Sequence, residues 1–444
     1  MFKSLFSCFR KQANTDLRDS YQRREPSMLN EEDIVDIYGR DSIALRASKN
    51  IERNVTDKKS NEEIRIVAFG QIAEYFEKSE LPKALPKEDN LKKVARIGLG
   101  VHHAVFLFYS YQVASVGKND RGQLGFPISD IDSENIYKDL QILDIQKFKD
   151  EGKRIIDIAA GAYHTMLLAE PIDHEESKEK ETREVYVMGD RNMLGRFEAK
   201  DSSEPILITI PRLEQDPSLR IKYIYSRNEK CVVMDTDHGM TLWGRDFNGF
   251  FQREPSLFCQ FKYSVKIAFG PKHGLATDEN KKLYVWGDGT YGELGRDTET
   301  EEVTVETPTK HAYFDNKDIK VHSISVGNRH SVVVDTEGKM YSFGDNSKGQ
   351  LATYEERQDT PNMIDTGFEA MAVFSGQSHN LVKTKDGRIF TWGGDSKLQT
   401  TGNKNGTFLK YMYEFKGKKT SNIQTAHDNT IVISHLKVYK EPKE

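Results

Sequence analysis

Three repeated features of the sequence predict an all-β protein, a seven-bladed β-propeller built of four-stranded blades. A strand-like run that ends in glycine occurs seven times. A Gly-x-x-His pattern, intact or degraded, occupies seven matching positions, and tight turns separate the two. The glycines recur about every 50 residues, a period that four short strands fill. Because one such sheet cannot bury both of its faces alone, the units are expected to pack on one another in a ring.

The first repeated feature is a run of aromatic and β-branched residues that ends in glycine, as in Ile66–Gly70 and Tyr284–Gly287. Glycine adopts a positive φ without steric cost, so it suits the sharp change of direction at a strand end. We therefore predict a structural role for these seven marker glycines. They are Gly70, Gly117, Gly189, Gly244, Gly287, Gly344 and Gly393.

The second feature is Gly-x-x-His followed by a short apolar strand. Two further copies, Arg227–Lys230 and Ala426–Asn429, have lost the glycine and the histidine. Successive copies lie in different blades, so the imidazoles cannot converge on one metal ion at the ligand distance of about 2 Å. We predict no metal site, and a structural role in which each imidazole bonds the backbone at a strand start. The five repeat histidines are His103, His164, His273, His330 and His379.

Loops and turns complete the repeat. The loop template Gly-Gln/Glu-Leu-Gly/Ala occurs at Gly122–Gly125, Gly292–Gly295 and Gly349–Ala352, whereas Asn248–Phe251 and Ser396–Gln399 are eroded versions. Glycine and asparagine in turns such as those at 278–280, 335–338 and 385–387 supply the positive φ that hairpins need. One repeat therefore reads as strand, hairpin, strand ending in glycine, loop and connecting strand.

Together these motifs resemble the regulator of chromosome condensation repeat, whose family forms seven-bladed propellers. The resemblance covers Ile64 to about His435, in a divergent member. A tryptophan–aspartate repeat would require Asp after the strand-end tryptophan, whereas Trp243, Trp286 and Trp392 are each followed by glycine.

The order of the repeated pieces predicts the domain organisation. Residues 1–63 form an N-terminal extension, either a targeting or a docking arm, residues 64–435 form the propeller, and residues 436–444 form a C-terminal tail. The chain enters the propeller with one half-blade, Ile64–Phe69, and leaves it with another, Thr430–Ser434. Neither can satisfy its edge alone, so we predict that the two pair and close the ring.

Two longer stretches interrupt the repeat. Glu170–Glu184 and Asp297–Phe314 are both rich in acidic residues. We interpret them as surface insertions, which either contact a partner or are tolerated without a function.

Composition narrows the function and leaves the compartment open. A net charge of −5 gives no general attraction to nucleic acid. The longest apolar stretch, Ala104–Val116, is too short to span a bilayer.

In residues 1–15, apolar side chains at helical spacing, basic residues and no acid are typical of a mitochondrial transit peptide. A peripheral membrane anchor with Cys8 acylated and a tail with chance aromatics remain alternatives. We expect a mitochondrial location, with the cytoplasm as the alternative.

The sequence carries no recognisable catalytic or cofactor-binding motif, so we predict a non-catalytic protein without a cofactor. The leading hypothesis is a scaffold for protein–protein interaction, or a subunit of a larger assembly. The resemblance implies an alternative, guanine-nucleotide exchange on a small GTPase, with acidic residues beside the Gly-x-x-His element as part of its surface. In the six copies from Gly100 to His379, Glu229 is the one acidic residue at those positions. Binding of a small ligand in the central channel is a third class.

Overall fold

The computed structural model describes residues 62–69, 94–128, 135–172, 182–197, 200–263, 265–297, 302–394, 409–411, 419–426 and 428–437. Within them the chain is an all-β propeller with six four-stranded antiparallel sheets, blades 1 to 6, and one further sheet. Short strands of alternating or continuous apolar residues, each ended by a turn or a glycine, explain this architecture. No helix in these ranges is long and apolar enough to cross a membrane.

The strands of each blade follow the chain from the central channel outward. The first strand, β1 (Glu62–Phe69), belongs to the sheet outside the six blades. Blade 1 contains β2 (Val94–Leu99), β3 (His103–Phe108), β4 (Val113–Lys118) and β5 (Ile136–Ile142). Blade 2 contains β6 (Lys153–Ala160), β7 (His164–Pro171), β8 (Glu184–Gly189) and β9 (Ser202–Leu207). Blade 3 contains β10 (Ile221–Arg227), β11 (Lys230–Asp235), β12 (Gly239–Arg245) and β13 (Phe251–Gln260).

The second half of the chain repeats the same pattern. Blade 4 contains β14 (Val265–Phe269), β15 (His273–Asp278), β16 (Leu283–Asp288) and β17 (Thr304–Lys310). Blade 5 contains β18 (Val321–Val326), β19 (His330–Asp335), β20 (Met340–Asp345) and β21 (Arg357–Ile364). Blade 6 contains β22 (Ala370–Ser375), β23 (His379–Thr384), β24 (Ile389–Gly393) and β25 (Lys410–Tyr411).

The remaining sheet, here the terminal sheet, joins the two ends of the described chain. It contains β26 (Lys419–Ala426) and β27 (Asn429–Lys437), with β1 paired to β27 in antiparallel register from Glu62↔Lys437 to Phe69↔Thr430. The described residues give this sheet three strands, where the sequence analysis expected four.

In the described ranges, three short α-helices connect consecutive blades: α1 (Gln146–Asp150), α2 (Pro211–Gln215) and α3 (Ala312–Asn316). One of the two expected surface insertions differs from the prediction, and most of the other lies outside the described residues. Asp297–Phe314 contains the outer strand β17 and the start of α3, so it is part of the repeat. Glu170 lies buried in β7, and the segment between it and Glu184 is described only at its two ends.

The apolar core lies between neighbouring sheets. One cluster, for example, joins Leu275 and Val285 of blade 4 to Val333 and Phe343 of blade 5. Two tryptophans at marker strand ends also bond the preceding blade: Trp243 Nε1 donates to Met193 O at 2.8 Å, and Trp392 Nε1 donates to Gln350 O at 3.0 Å. Burial of both faces of each blade against its neighbours provides the main stabilisation of the fold.

Candidate interaction surface

The five repeat histidines are fully buried, and each reaches a side chain of the next sheet through Nε2. The acceptor differs from the backbone group that the sequence analysis expected. The pairs are His103–Thr165 (2.9 Å), His164–Ser226 (2.8 Å), His273–Ser331 (3.0 Å), His330–Asn380 (2.8 Å) and His379–Thr430 (3.0 Å). We call these contacts the latch bonds. In four pairs the partner directly follows the histidine position of the next sheet, a regularity that only the folded ring reveals.

In two latch bonds, the hydroxyl that bonds the histidine also forms a second hydrogen bond to the histidine's own blade. The Ser331 hydroxyl donates to the carbonyl of Glu293 at 2.8 Å, and the Thr165 hydroxyl does the same to Gln123 at 2.8 Å. A hydroxyl that gives its only proton to a carbonyl must accept at its oxygen. His273 and His103 therefore carry a proton on Nε2 and donate it to these hydroxyls. Both imidazoles are neutral, because burial lowers their pKa to about 3.

Five marker glycines lie opposite the repeat histidines, and Gly244 lies opposite Lys230. Gly344, for example, pairs with His330 and has φ +115°. A Cβ there would lie 2.4 Å from the carbonyl oxygen of Arg329, so a side chain is excluded. Gly117, Gly189, Gly244, Gly287 and Gly393 have the same positive φ and the same close carbonyl. Gly70 lies outside the described residues.

Blade 3 departs from this pattern. Lys230 replaces the histidine, and Gly274 stands at the acceptor position of blade 4, so this pair of residues forms no latch bond. Lys230 is buried beneath the Phe247 ring, with Nζ 4.4 Å from its centroid, and donates to the carbonyl of Arg245. Burial lowers the pKa of its ammonium group to about 7.

The central channel is nearly filled. Arg227 replaces the repeat glycine, and its guanidinium crosses to blade 6, where it donates to the carbonyls of Ser375 at 3.2 Å and Gly376 at 3.3 Å. The channel cavity measures about 50 Å³ and is lined mainly by apolar side chains of the inner strands. Ligand pockets usually exceed about 300 Å³, so this cavity does not support small-ligand binding in the channel. In the described part of the chain, no group of three or more His, Cys, Asp or Glu residues could hold a metal ion.

The eroded loop of blade 3 turns aromatic side chains outward. In the intact loops, the leucines Leu124, Leu294 and Leu351 are buried. The corresponding residue here, Phe251, begins strand β13 and is 39% exposed, and Phe250 before it is 73% exposed. Phe247 is buried beneath them in the blade core instead. The loop therefore keeps one aromatic residue for packing and presents two to solvent.

Phe251 borders a groove between blades 2 and 3, and Phe250 precedes it in the chain. The groove has a volume of about 780 Å³ and includes Phe197, which is 75% exposed, and Phe251. The guanidinium of Arg253 lies 4.8 Å from the Phe197 ring centroid, and Arg245 binds Glu229 at 2.7 Å. We call this site the aromatic groove. Sequence reasoning found the eroded loop but missed Phe197, which lies in the loop of a different blade.

One loop carboxylate gives a separate prediction about stability. Glu293 occupies the place of Gln123 and Gln350, and its Oε2 accepts from the Tyr291 amide at 2.6 Å. Burial raises the pKa of this carboxyl from 4.5 to about 7. The folded state therefore keeps a proton that the unfolded chain loses between these values, and stability falls as the pH rises through this window.

Glu293→Gln is expected to stabilise the protein by about 3 kcal/mol at pH 8, and to change its stability little at pH 4.5, because the amide does not titrate. Urea unfolding at both pH values measures this difference. An equal effect at the two pH values would show that the carboxyl does not titrate as described.

Comparisons with known proteins agree with this architecture. The profile described as the regulator of chromosome condensation (RCC1) repeat matches residues 281–334, and a second profile of that repeat matches residues 265–293 and 321–350. The structure superimposes on Prp20p of Saccharomyces cerevisiae with a TM-score of 0.65 and 18% identity, over 85% of this chain and 92% of that one. The chain contains RCC1 repeats, which are matched within residues 265–350.

Other relatives of this RCC1 repeat protein share the repeats in different contexts. The ultraviolet-B receptor UVR8 of Arabidopsis thaliana is 28% identical over 271 residues, 59% of this chain and 55% of the receptor. The human E3 ubiquitin-protein ligase HERC2 is 26% identical over 271 residues, also 59% of this chain but 5% of the ligase. Human WBSCR16 superimposes with a TM-score of 0.64 and 15% identity, over 83% of this chain and 99% of that one. The chain thus matches about half of the plant receptor and a small part of the ligase.

Proposed function

We propose that this RCC1 repeat protein is a non-catalytic interaction scaffold, or a subunit of a larger assembly, that binds a protein partner at the aromatic groove. The observation that carries the proposal is the exposure of Phe197 and Phe251 in the lining of one groove, with the exposed Phe250 next to Phe251 in the chain. Exposed aromatic clusters are uncommon on soluble proteins and typically mark interaction sites. Aromatic and arginine side chains also dominate the binding energy of protein interfaces.

A rigid ring would hold this groove in a fixed shape. We propose that the terminal sheet acts as the seventh blade and closes the ring. Thr425 Oγ1 bonds Ser375 O of blade 6 at 2.9 Å, and Asn429 Nδ2 bonds Val101 O of blade 1 at 2.7 Å, so the sheet contacts the first and the last blade. The repeat histidines and marker glycines would then stabilise the ring, whereas the groove would bind the partner. Residues 64–435 remain our proposed limits of the propeller.

The proposal predicts that the Phe197→Ser, Phe250→Ser double variant loses its partner. Affinity purification of the tagged full chain from its native cell, followed by quantitative mass spectrometry, would compare it with the wild type. Removal of two interface aromatics is expected to lower partner recovery at least about tenfold. Both side chains are mostly exposed, so the thermal midpoint should change little.

Tyr354→Ser is the matched control, because Tyr354 is 80% exposed and lies in a loop of blade 5. We expect this variant to recover the same proteins as the wild type. If the double variant keeps every partner that the wild type captures, the groove is not the interaction site.

Exchange on a small GTPase is the alternative. Prp20p was solved in a study of its binding to Gsp1p and histones, which is a property of that protein. In the six copies from Gly100 to His379, Glu229 is the one acidic residue beside the Gly-x-x-His element, and its carboxylate binds Arg245 at 2.7 Å. This ion pair partly neutralises the Glu229 carboxylate, the acidic group that a GTPase-binding surface would use here. A small GTPase recovered by the wild type and lost from the double variant would therefore bind through the groove.

A mitochondrial location is our proposal from the sequence of residues 1–15, with the cytoplasm as the alternative. These residues, and the targeting or docking role of the N-terminal extension, lie outside the described part of the chain. The groove proposal does not depend on the compartment.

A further inference from the structure

The aromatic groove contains two arginines, one that pairs with a carboxylate and one that pairs with none in the described ranges. Arg245 is neutralised, because its Nε binds Glu229 at 2.7 Å and its Nη1 donates to Gly249 O at 3.1 Å. Arg253 is half-buried with its guanidinium 4.8 Å from the Phe197 ring centroid. No carboxylate in the described ranges pairs with Arg253, so it is the groove cation that is available to a partner.

The position of Arg253 favours recognition of a carboxylate. A guanidinium over an aromatic ring interacts with it through its face, while the N–H donors point outward in the guanidinium plane. Two of these donors match the two oxygens of a carboxylate. Contact with the Phe197 ring also restricts the arginine before binding, which reduces the entropy lost when a partner docks.

We propose that the aromatic groove binds an acidic segment of a protein partner, with a carboxylate on Arg253 and an apolar side chain between Phe197 and Phe251. This inference rests on the proposed function and specifies the chemistry of the partner. The groove volume of about 780 Å³ accommodates several side chains.

Glu254 lies in the same groove and makes a basic segment the competing hypothesis. Its side chain is exposed, whereas Arg253 is half-buried. An exposed carboxylate keeps its hydration and gains little from an ion pair, while a partly desolvated guanidinium held against a ring gains more. The geometry therefore favours Arg253 as the anchor of the partner.

The bound segment can be identified directly. A photo-crosslinking p-benzoylphenylalanine in place of Phe250, which is 73% exposed beside the groove, would capture it in the full chain in its native cell. Mass spectrometry of the crosslinked peptide gives its sequence. We expect a segment with net negative charge and at least one large apolar residue.

Charge reversal then tests the contact with a synthetic peptide of the captured sequence. Arg253→Glu should weaken peptide binding at least about tenfold, and changing the peptide's acidic residue to lysine should restore it. Glu254→Lys should leave binding unchanged or strengthen it. Arg329→Glu is the matched control, because Arg329 lies 4.0 Å from the Tyr291 ring centroid at another blade and should have no effect.

The outcomes separate this inference from the proposed function. A basic captured segment that Glu254→Lys releases and Arg253→Glu retains would overturn the inference and leave the groove as an interaction site. Absence of any crosslink at Phe250, with capture of partners unchanged by Phe197→Ser and Phe250→Ser, would overturn both.

Discussion

Lowering the pH from 7 to 5 is expected to reduce the free energy of unfolding by several kcal/mol, because four latch imidazoles stay neutral in the folded protein. Burial lowers the pKa to about 3 for His103, His164 and His273, and to about 4 for His330. In the unfolded chain the same groups titrate near 6.5. Below that value the unfolded chain binds protons that the folded state does not, so stability falls as the pH falls. At pH 5 the loss is about 2 kcal/mol for each imidazole.

Two variants of one latch bond separate titration from hydrogen bonding. His273→Asn removes a titrating group, so the slope of unfolding free energy against pH should decrease by about 1.4 kcal/mol per pH unit between pH 4.5 and 6. Ser331→Ala removes the partner at 3.0 Å but keeps the imidazole, so it should cost about 1 kcal/mol and leave the slope unchanged. Urea unfolding at closely spaced pH values measures both. A wild-type slope in His273→Asn would mean that this imidazole is protonated in the folded state.

The strands were predictable because their signals are local. A run such as Tyr341–Gly344 carries its own β-branched and aromatic residues, and its glycine marks the strand end within the same few positions. The latch bonds were not predictable, because the partner of each imidazole lies about 50 to 60 residues away on another sheet. The sequence showed that the histidines repeat, and only the packing of neighbouring blades shows what they bind.

The aromatic groove, like the latch bonds, was not predictable from local sequence signals. Erosion of the template at Asn248–Phe251 was visible, but burial of Phe247 and exposure of Phe250 depend on how the loop turns into β13. The contact of Phe197 with Arg253 joins two blades and leaves no periodic signal. Sites that depend on one exceptional blade are therefore harder to predict than features shared by all blades.

Gly327→Ala is expected to destabilise the protein by about 3 kcal/mol, through a collision with the latch histidine rather than through backbone strain. A Cβ at residue 327 would lie 2.0 Å from Cε1 of His330. The imidazole cannot move aside at low cost, because it is fully buried and bonded to Asn380 at 2.8 Å. In four of the five intact copies the histidine thus excludes any side chain at the glycine, whereas at Gly270 the close atom is the carbonyl oxygen of Gly327.

A double-mutant cycle isolates this collision. His330→Ala alone leaves a cavity and removes one of the three side-chain hydrogen bonds of Asn380, and should cost about 2 to 4 kcal/mol. Adding Gly327→Ala to it should cost less than about 1 kcal/mol, because the imidazole is gone, which gives a coupling of about 2 kcal/mol. Gly367→Ala measures the cost of backbone strain alone, because Gly367 has φ +64° and a Cβ there would have no atom within 4 Å. If Gly327→Ala costs the same with and without the imidazole, the glycine is required by the backbone and the steric explanation is wrong.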